Sequence, residues 1–334
     1  MNILITGSNG FVGSALMWKL QGAKHKVVGI DISRHCDDLS HPNTIIGDIR
    51  NTNDLNRASR FFADKYKDNI DIVIHCAAAK HDFGINKEEY FSHNEYGTTV
   101  LLDFIQVNNI SRLIYFSTVS VFGHPENRAD EEGTFAPDHP YGASKLAGEL
   151  LCTAWQKQEA ERELVVLRPT VIFGPHNYAN MYKLIDMMHR RPYVMIGSGN
   201  YIKSIVSLSN VIDMTLFSLS ILRSGAQYFN CVDKPYITLK ELMQIIAKNK
   251  AFHIPGISIP VFFAVLIGKL FDIPAKLLKV DLPINSDRMY KLATATDFAS
   301  ERIREAGYMQ AHTIEDEIRS TTDWYLSTRK RGDI

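Results

Sequence analysis

Net charge is the first thing this sequence lacks: Lys plus Arg and Asp plus Glu each number 37. Without a global positive field the chain has no electrostatic footprint for nucleic acid, and no nucleic-acid partner is expected, although a local basic pocket stays open. Cysteine is scarce too. The four thiols, Cys36, Cys76, Cys152 and Cys231, stand far apart, with no CxxC pair and no metal-ligand spacing. No zinc or other metal site is expected, and the thiols read as reduced, partly buried residues of a cytosolic protein. A membrane-spanning run is also missing. The most apolar stretch, Ile257 to Gly268, has 12 residues and a proline, whereas crossing a bilayer takes ~20. It reads either as a buried helix of a second lobe or as an interfacial helix on a membrane, with Lys269, Lys276 and Lys279 near anionic headgroups. The N-terminus, Met-Asn-Ile-Leu-Ile-Thr-Gly, lacks the basic region and cleavage site of a signal peptide and reads as structure. The expected location is cytoplasmic, with peripheral contact at the inner membrane face through 257–278 on the interfacial reading. Internal repeats and low-complexity tracts are absent as well.

What is present is an alternation. Strand-length apolar runs (Ile3–Thr6, Lys26–Ile30, Asp71–His75, Arg112–Ser117, Leu164–Arg168) are separated by amphipathic, helix-length segments such as Val12–Leu20. Near-continuous apolar strands between helices predict a parallel sheet covered on both faces, a Rossmann-type doubly wound α/β fold. After Pro169 proline, glycine and short mixed segments take over. With 334 residues the chain exceeds one typical domain. We therefore expect a nucleotide-binding domain over 1–167 with a return segment at about 204–222. A smaller C-terminal substrate lobe is expected over 168–203 and 223–330.

Gly7-Ser-Asn-Gly-Phe-Val-Gly13 follows the first strand and opens the first helix. Glycine permits the tight turn and brings backbone amides to a pyrophosphate at the helix N-terminus. Asp31 ends the second strand, where a carboxylate can accept both ribose hydroxyls and repel a 2′-phosphate. NAD is thus the expected cofactor, with NADP kept as the lesser reading through nearby Arg34. Asp48, in Gly47-Asp-Ile49, is suited to the adenine amino group.

Tyr141 and Lys145 stand four apart, which on a helix places them on one face. A phenol near pKa 10 is a poor base, and lowering it by ~3 units takes ~4 kcal/mol. A neighbouring ammonium and a positive nicotinamide ring both favour the phenolate, which can then accept a proton from a sugar hydroxyl as hydride leaves. Ser117-Thr-Val-Ser120 ends an apolar strand, with Thr118 placed to hydrogen-bond the reacting oxygen.

With these residues assembled, the chain resembles the extended short-chain dehydrogenase/reductases, specifically the NAD-dependent sugar epimerase/dehydratase family. The resemblance spans the chain: Gly7/Gly10/Gly13, Asp31, His75-Cys-Ala-Ala78, Asn94-xx-Gly97-Thr98, Thr118, Tyr141-xxx-Lys145 and Leu167-Arg-Pro-Thr-Val-Ile-Phe-Gly-Pro175. It implies Thr118, Tyr141 and Lys145 as catalytic residues. It implies cofactor contacts from Gly7, Asn9, Gly10, Phe11, Val12, Gly13, Asp31, Ile32, Asp48, Ile49, Ala77, Ala78, Asn94, Ser117, Tyr141 and Lys145. Substrate contacts are implied for Lys80, Ser120, Asn177, Lys203 and Arg288, and a homodimer through helices near 95–110 and 145–162.

Within the family, sugar 4,6-dehydratases carry Asp-Glu after the catalytic Thr. Here Val119 and Ser120 stand there, so dehydration is not expected. The remaining readings are C4 epimerisation of a diphosphate-linked hexose and, as the alternative, NAD(P)H-dependent reduction of an NDP-4-keto-6-deoxyhexose. A non-catalytic NAD-binding scaffold is the remote third. The later segments look like bacterial surface-polysaccharide (O-antigen type) epimerases that interconvert N-acetylhexosamines on an undecaprenyl diphosphate carrier. Two departures, Val171 for a substrate-contacting Asn and Lys203 for a diphosphate-binding Arg, argue against a standard UDP-sugar pocket.

Overall fold

The computed structural model describes residues 1–34, 41–80, 85–190, 195–249, 251–263, 265, 266, 269 and 295–330. Two compact units emerge, the first comprising Met1–Ile172, Leu208–Val232 and Phe298–Ala311. The second comprises Phe173–Ser207, Asp233–Asp297 and His312–Ile334.

In the first unit, β1 (Asn2–Thr6), α1 (Phe11–Gly22), β2 (Lys26–Asp31), β3 (Thr44–Ile46), α2 (Thr52–Tyr66) and β4 (Ile72–His75) follow in order. Then come α3 (Lys87–Phe91), a π-helical turn (Ser92–Tyr96), α4 (Gly97–Val107), β5 (Arg112–Phe116), α5 (Pro140–Gln158) and β6 (Glu163–Pro169). The strands form one parallel sheet, ordered Gly225–Cys231, β6, β5, β4, β1, β2, β3. Ile3, Leu4, Ile5, Ile72, Val73, Ile74, Leu113 and Ile114 have no exposure, as strands covered on both faces require. Because β1 to β3 run outward and β4 returns to β1's other side, the order reverses between β1 and β4. The crevice beyond those two strand ends is where open α/β sheets bind ligands.

The boundary differs from the one the sequence rhythm suggested. Residues 223–232 and 298–311 were expected in the substrate lobe, yet Gly225–Cys231 pairs with β6 along its whole length. An unpaired edge exposes a row of backbone polar groups, and this strand removes it from β6. Segment 298–311 is tied in by Asn230 Nδ2 donating to Ala299 O at 3.0 Å and Ser300 Oγ donating to Val232 O at 3.0 Å.

The second unit packs the helices Asn180–His189, Leu239–Ile246 and Ile314–Lys330 around Phe173, Ile185, Met188, Leu242, Ile246, Phe252 and Tyr325. Tyr325, without exposure, donates to Asp186 Oδ1 at 2.7 Å and meets the Tyr182 ring at 5.3 Å. The apolar stretch from Ile257 is not a buried helix where it is described. Ser258–Ile259 is a short strand paired with Met195–Ile196, and Phe262 and Phe263 are 71% and 55% exposed. Pro260, without an N–H, ends the strand, and a helical turn follows with Phe263 N–H donating to Pro260 O at 3.0 Å. Residues 264, 267, 268 and 270–278 lie outside the described residues. Among the described residues no helix is long and apolar enough to cross a membrane.

Candidate active site

The glycine loop wraps the end of β1. Gly7 has φ +70°, and a Cβ there would lie 2.6 Å from Ala77 N; one on Gly13 would lie 2.0 Å from Gly7 O. Only hydrogens fit, so α1 starts directly against the turn and its N-terminal amides face the crevice between β1 and β4. Asp31 shapes the neighbouring wall. Its Oδ2 accepts from Asn9 N–H at 2.9 Å and its Oδ1 from Ser33 N–H at 3.0 Å. Oδ2 keeps a lone pair for a ribose hydroxyl, while Oδ1 also accepts from Ser33 Oγ at 3.3 Å. Ile32 is exposed at the rim, and Arg34 beyond it is exposed. Asp48 is less available: Arg50 Nη2 donates to its Oδ2 at 2.6 Å, which holds its carboxyl below the ordinary range despite partial burial. Ile49, buried beside it, belongs to the core under α4.

Two buried side-chain oxygens, Asn9 Oδ1 in this loop and Ser117 Oγ just after β5, have no hydrogen-bond partner among the described residues. Buried polar atoms are ordinarily paired, so orphans beyond the C-terminal ends of β1 and β5 are what a bound dinucleotide would satisfy. The residues fit NAD.

A second network braces the opposite wall. Thr98 Oγ1 donates to Asn94 O at 2.6 Å, so it accepts from His75 Nε2 at 3.1 Å. His75 Nδ1 is then the acceptor for Thr6 Oγ1 at 2.6 Å. Burial pushes His75 well below its usual pKa, and it is neutral. Asn94, in the π-helical turn, accepts from Ala79 N–H at 2.8 Å and donates to Ser144 Oγ at 2.9 Å. One amide thus joins the segment after β4, with Ala77 and Ala78, to the helix carrying Tyr141.

That helix, α5, starts at Pro140, with His139 Nδ1 accepting from Gly142 N–H at 3.1 Å. A Cβ on Gly142 would stand 2.5 Å from Ser120 O, so α5 lies hard against the 3₁₀ turn Val119–Phe122. Thr118 caps that turn: its Oγ1 accepts from Ser120 N–H at 3.2 Å and donates to Ser120 Oγ at 3.2 Å. Close packing of α5 on this turn brings the helix that carries Tyr141 and Lys145 against the turn that Thr118 caps just after β5. Lys145 is 2% exposed, and its ammonium lies 4.2 Å from the centre of the Tyr115 ring. Burial lowers its pKa to about 8.

Of the expected substrate contacts, Ser120 and Lys80 belong to the first unit, Lys80 exposed after β4. Asn177 and Lys203 belong to the second. There Asn177 Oδ1 accepts from Ala179 N–H at 3.1 Å, and burial lowers Lys203 to about 8. Arg288 lies outside the described residues. Sequence reading missed Ser144, His139 and Arg168. Arg168 had a signal, a lone cation ending an apolar strand; the other two had none.

A parallel Rossmann sheet with a glycine cradle at its switch point and a Tyr–Lys pair on the adjoining helix defines a nicotinamide-dependent enzyme. The chain belongs to the NAD dependent epimerase/dehydratase family, whose pattern it matches over residues 3–231. It is similar to N-acetyl-alpha-D-glucosaminyl-diphospho-ditrans,octacis-undecaprenol 4-epimerase of Escherichia coli O157:H7, 28% identical over 337 residues, 100% of this chain and 98% of that protein. It is 25% identical over 344 residues to UDP-glucose 4-epimerase of Vibrio cholerae, 99% of this chain and 97% of that one. Its fold superposes with a TM-score of 0.74 on the UDP-glucuronic acid 4-epimerase of Bacillus cereus in complex with NAD, at 21% identity, covering 98% and 99% of the two chains.

Proposed function

We propose that the protein is an NAD-dependent C4 epimerase of a diphosphate-linked hexose, an N-acetylhexosamine, acting in surface-polysaccharide (O-antigen type) synthesis. The carrying observation is the placement of Tyr141 and buried Lys145 on a helix packed directly onto the turn that Thr118 caps. NAD, when bound, supplies a reversible hydride acceptor. Asp31 holds the adenosine ribose, and Asn9 and Ser117 take up the remaining cofactor hydrogen bonds. Tyr141, as phenolate, removes the C4 hydroxyl proton, and Thr118 orients that oxygen. Lys145 sustains the phenolate electrostatically and holds the nicotinamide ribose hydroxyls. With the C4 hydride accepted by bound NAD, a 4-keto sugar would form, turn, and take the hydride back on its other face, while Tyr141 returns the proton to the C4 oxygen. Val119 and Ser120 offer no acid–base pair for loss of water, which supports epimerisation over dehydration.

The full-length similarity to an undecaprenol-linked epimerase supports a polyprenyl diphosphate carrier. The exposed Ile257, Phe262, Phe263 and Leu266 support peripheral contact of the second unit with a membrane. Exposed Tyr96, Val107 and Leu150, beside or on α4 and α5, support a homodimer through those helices. A product assay offering UDP-N-acetylglucosamine and its polyprenyl-diphosphate counterpart side by side tests the reading. Epimerised product without net NAD consumption is expected, with the lipid-linked sugar preferred. Stoichiometric use of NAD(P)H on a 4-keto sugar, with no epimerisation, would replace it by the reductase. Flotation with anionic vesicles at low salt should carry the protein upward; failure to float removes the membrane contact.

A further inference from the structure

The catalytic helix carries a charge that this reaction does not use. Glu149 stands one turn beyond Lys145, and both are buried, at 1% and 2% exposure. Tyr141, Lys145 and Glu149 therefore form a stripe at four-residue spacing. A carboxylate one turn from an ammonium in a buried environment would ordinarily pair with it, yet no hydrogen bond or ion pair joins these two. Glu149 turns both oxygens to Arg168 on β6, Oε1 to Nη2 at 2.5 Å and Oε2 to Nε at 3.2 Å. Arg168 is itself fixed. Its Nη1 donates to Glu131 O at 3.0 Å, and its guanidinium lies 5.1 Å from the Phe122, Phe135 and Tyr228 rings.

Several of the other titratable groups around the stripe are held uncharged by burial. Burial keeps His75 neutral and holds Cys76, Cys152 and Tyr115 protonated. His139 accepts a backbone N–H through Nδ1 and has the Asp138 carboxylate 3.9 Å from its Nε2, and Tyr90 presents a phenol to Tyr141. Around Arg168, burial raises Glu131 and Tyr228. On the stripe itself the charged side chains are Lys145 and Glu149, with Arg168 against Glu149 and the Glu131 backbone on its far side.

We propose that Arg168 is a positioning residue that occupies the Glu149 carboxylate, so that the Lys145 ammonium stays committed to Tyr141 and the cofactor. This rests on the Tyr141–Lys145 reading above. Without Arg168, Glu149 draws Lys145 into a buried pair. Its negative charge, ~12 Å along the helix from Tyr141, also raises the phenol by about one pH unit at an effective dielectric of ~20. A purely structural tether makes a different forecast, because deleting either partner breaks the tether equally.

The test is ultraviolet titration of tyrosinate in the NAD-loaded protein, with the Tyr141→Phe variant subtracted to isolate Tyr141. Arg168→Met should move the midpoint up by about one pH unit, and Glu149→Gln should leave it unchanged or lower it. Shifts of the same sign in both variants, or no upward shift in Arg168→Met, overturn the proposal. If Arg168→Met does not fold, the charge-free pair Arg168→Met/Glu149→Met carries the test. A midpoint near wild type supports the proposal, and an upward shift of about a unit overturns it. No sugar is needed, so opposite shifts beside a failed epimerisation assay would remove the substrate assignment and leave this role standing.

Discussion

The two units bury different things. The first encloses charge: Asp31, Glu131, Lys145, Glu149 and Arg168 are all buried. The second buries Asp233 and half-buries the Asp186–Arg329 pair at 2.6 Å, while its Lys248–Glu315 pair at 2.7 Å has side chains 63% and 53% exposed. Its interior is built mainly around aromatic rings, with Tyr182, His189 and Phe252 set around Tyr325. Removing an ion from water costs several kcal/mol even after relaxation, and burying a ring is favourable. The first unit therefore carries a stability cost where a cofactor is held and a proton moves, and the second is built for packing.

The sharpest way to break this contrast is Tyr141→Phe. It deletes one hydroxyl and should reduce kcat by about a thousandfold or more, with an unchanged denaturation curve. A loss of fold alongside activity would mean that the first unit's polar groups are structural after all. Tyr325→Ala is the converse. Emptying the second unit's aromatic centre should cost about 3–5 kcal/mol in urea denaturation, while kcat of the folded fraction changes only a few-fold.

Lys145→Met probes both properties together. Its folded-state pKa of about 8 lies below the ordinary 10.5. Between those values the unfolded chain binds more protons, so stability rises with pH across that window. Removing the group should therefore stabilise the cofactor-free protein at pH 7 by about 1–3 kcal/mol, abolish the rise between pH 8 and 10.5, and lower kcat at least a hundredfold. A destabilised Lys145→Met would show that the ammonium is structurally supported. The smallest effect belongs to Lys248→Ala, whose exposed pair should be worth about 0–1 kcal/mol. A larger loss in calorimetry would place real electrostatic weight in the second unit.

Much of the first unit was legible because parallel strands buried on both faces leave no polar alternation to confuse the reading. Ile3–Thr6 proved to be Asn2–Thr6, and Leu164–Arg168 proved to be Glu163–Pro169. The second unit was harder. Its helices share one aromatic centre assembled from residues near 182, 189, 252 and 325, and no local period announces contacts that distant. The apolar run from Ile257 looked like core, but hydropathy cannot say which side of a chain faces water.

By itself, the sequence determined the sheet, the glycine cradle, the acidic strand end at Asp31 and the pairing of Tyr141 with Lys145. These depend on spacing within a strand, a turn or a helix, and local geometry is encoded locally. Tertiary structure alone decided that Gly225–Cys231 completes the first sheet, that Asn94 bridges to Ser144, and that Glu149 faces Arg168 and not Lys145. Each of these joins groups at least 19 residues apart. The partner chosen by a buried polar or charged group depends on which elements pack together, a choice made by the whole fold.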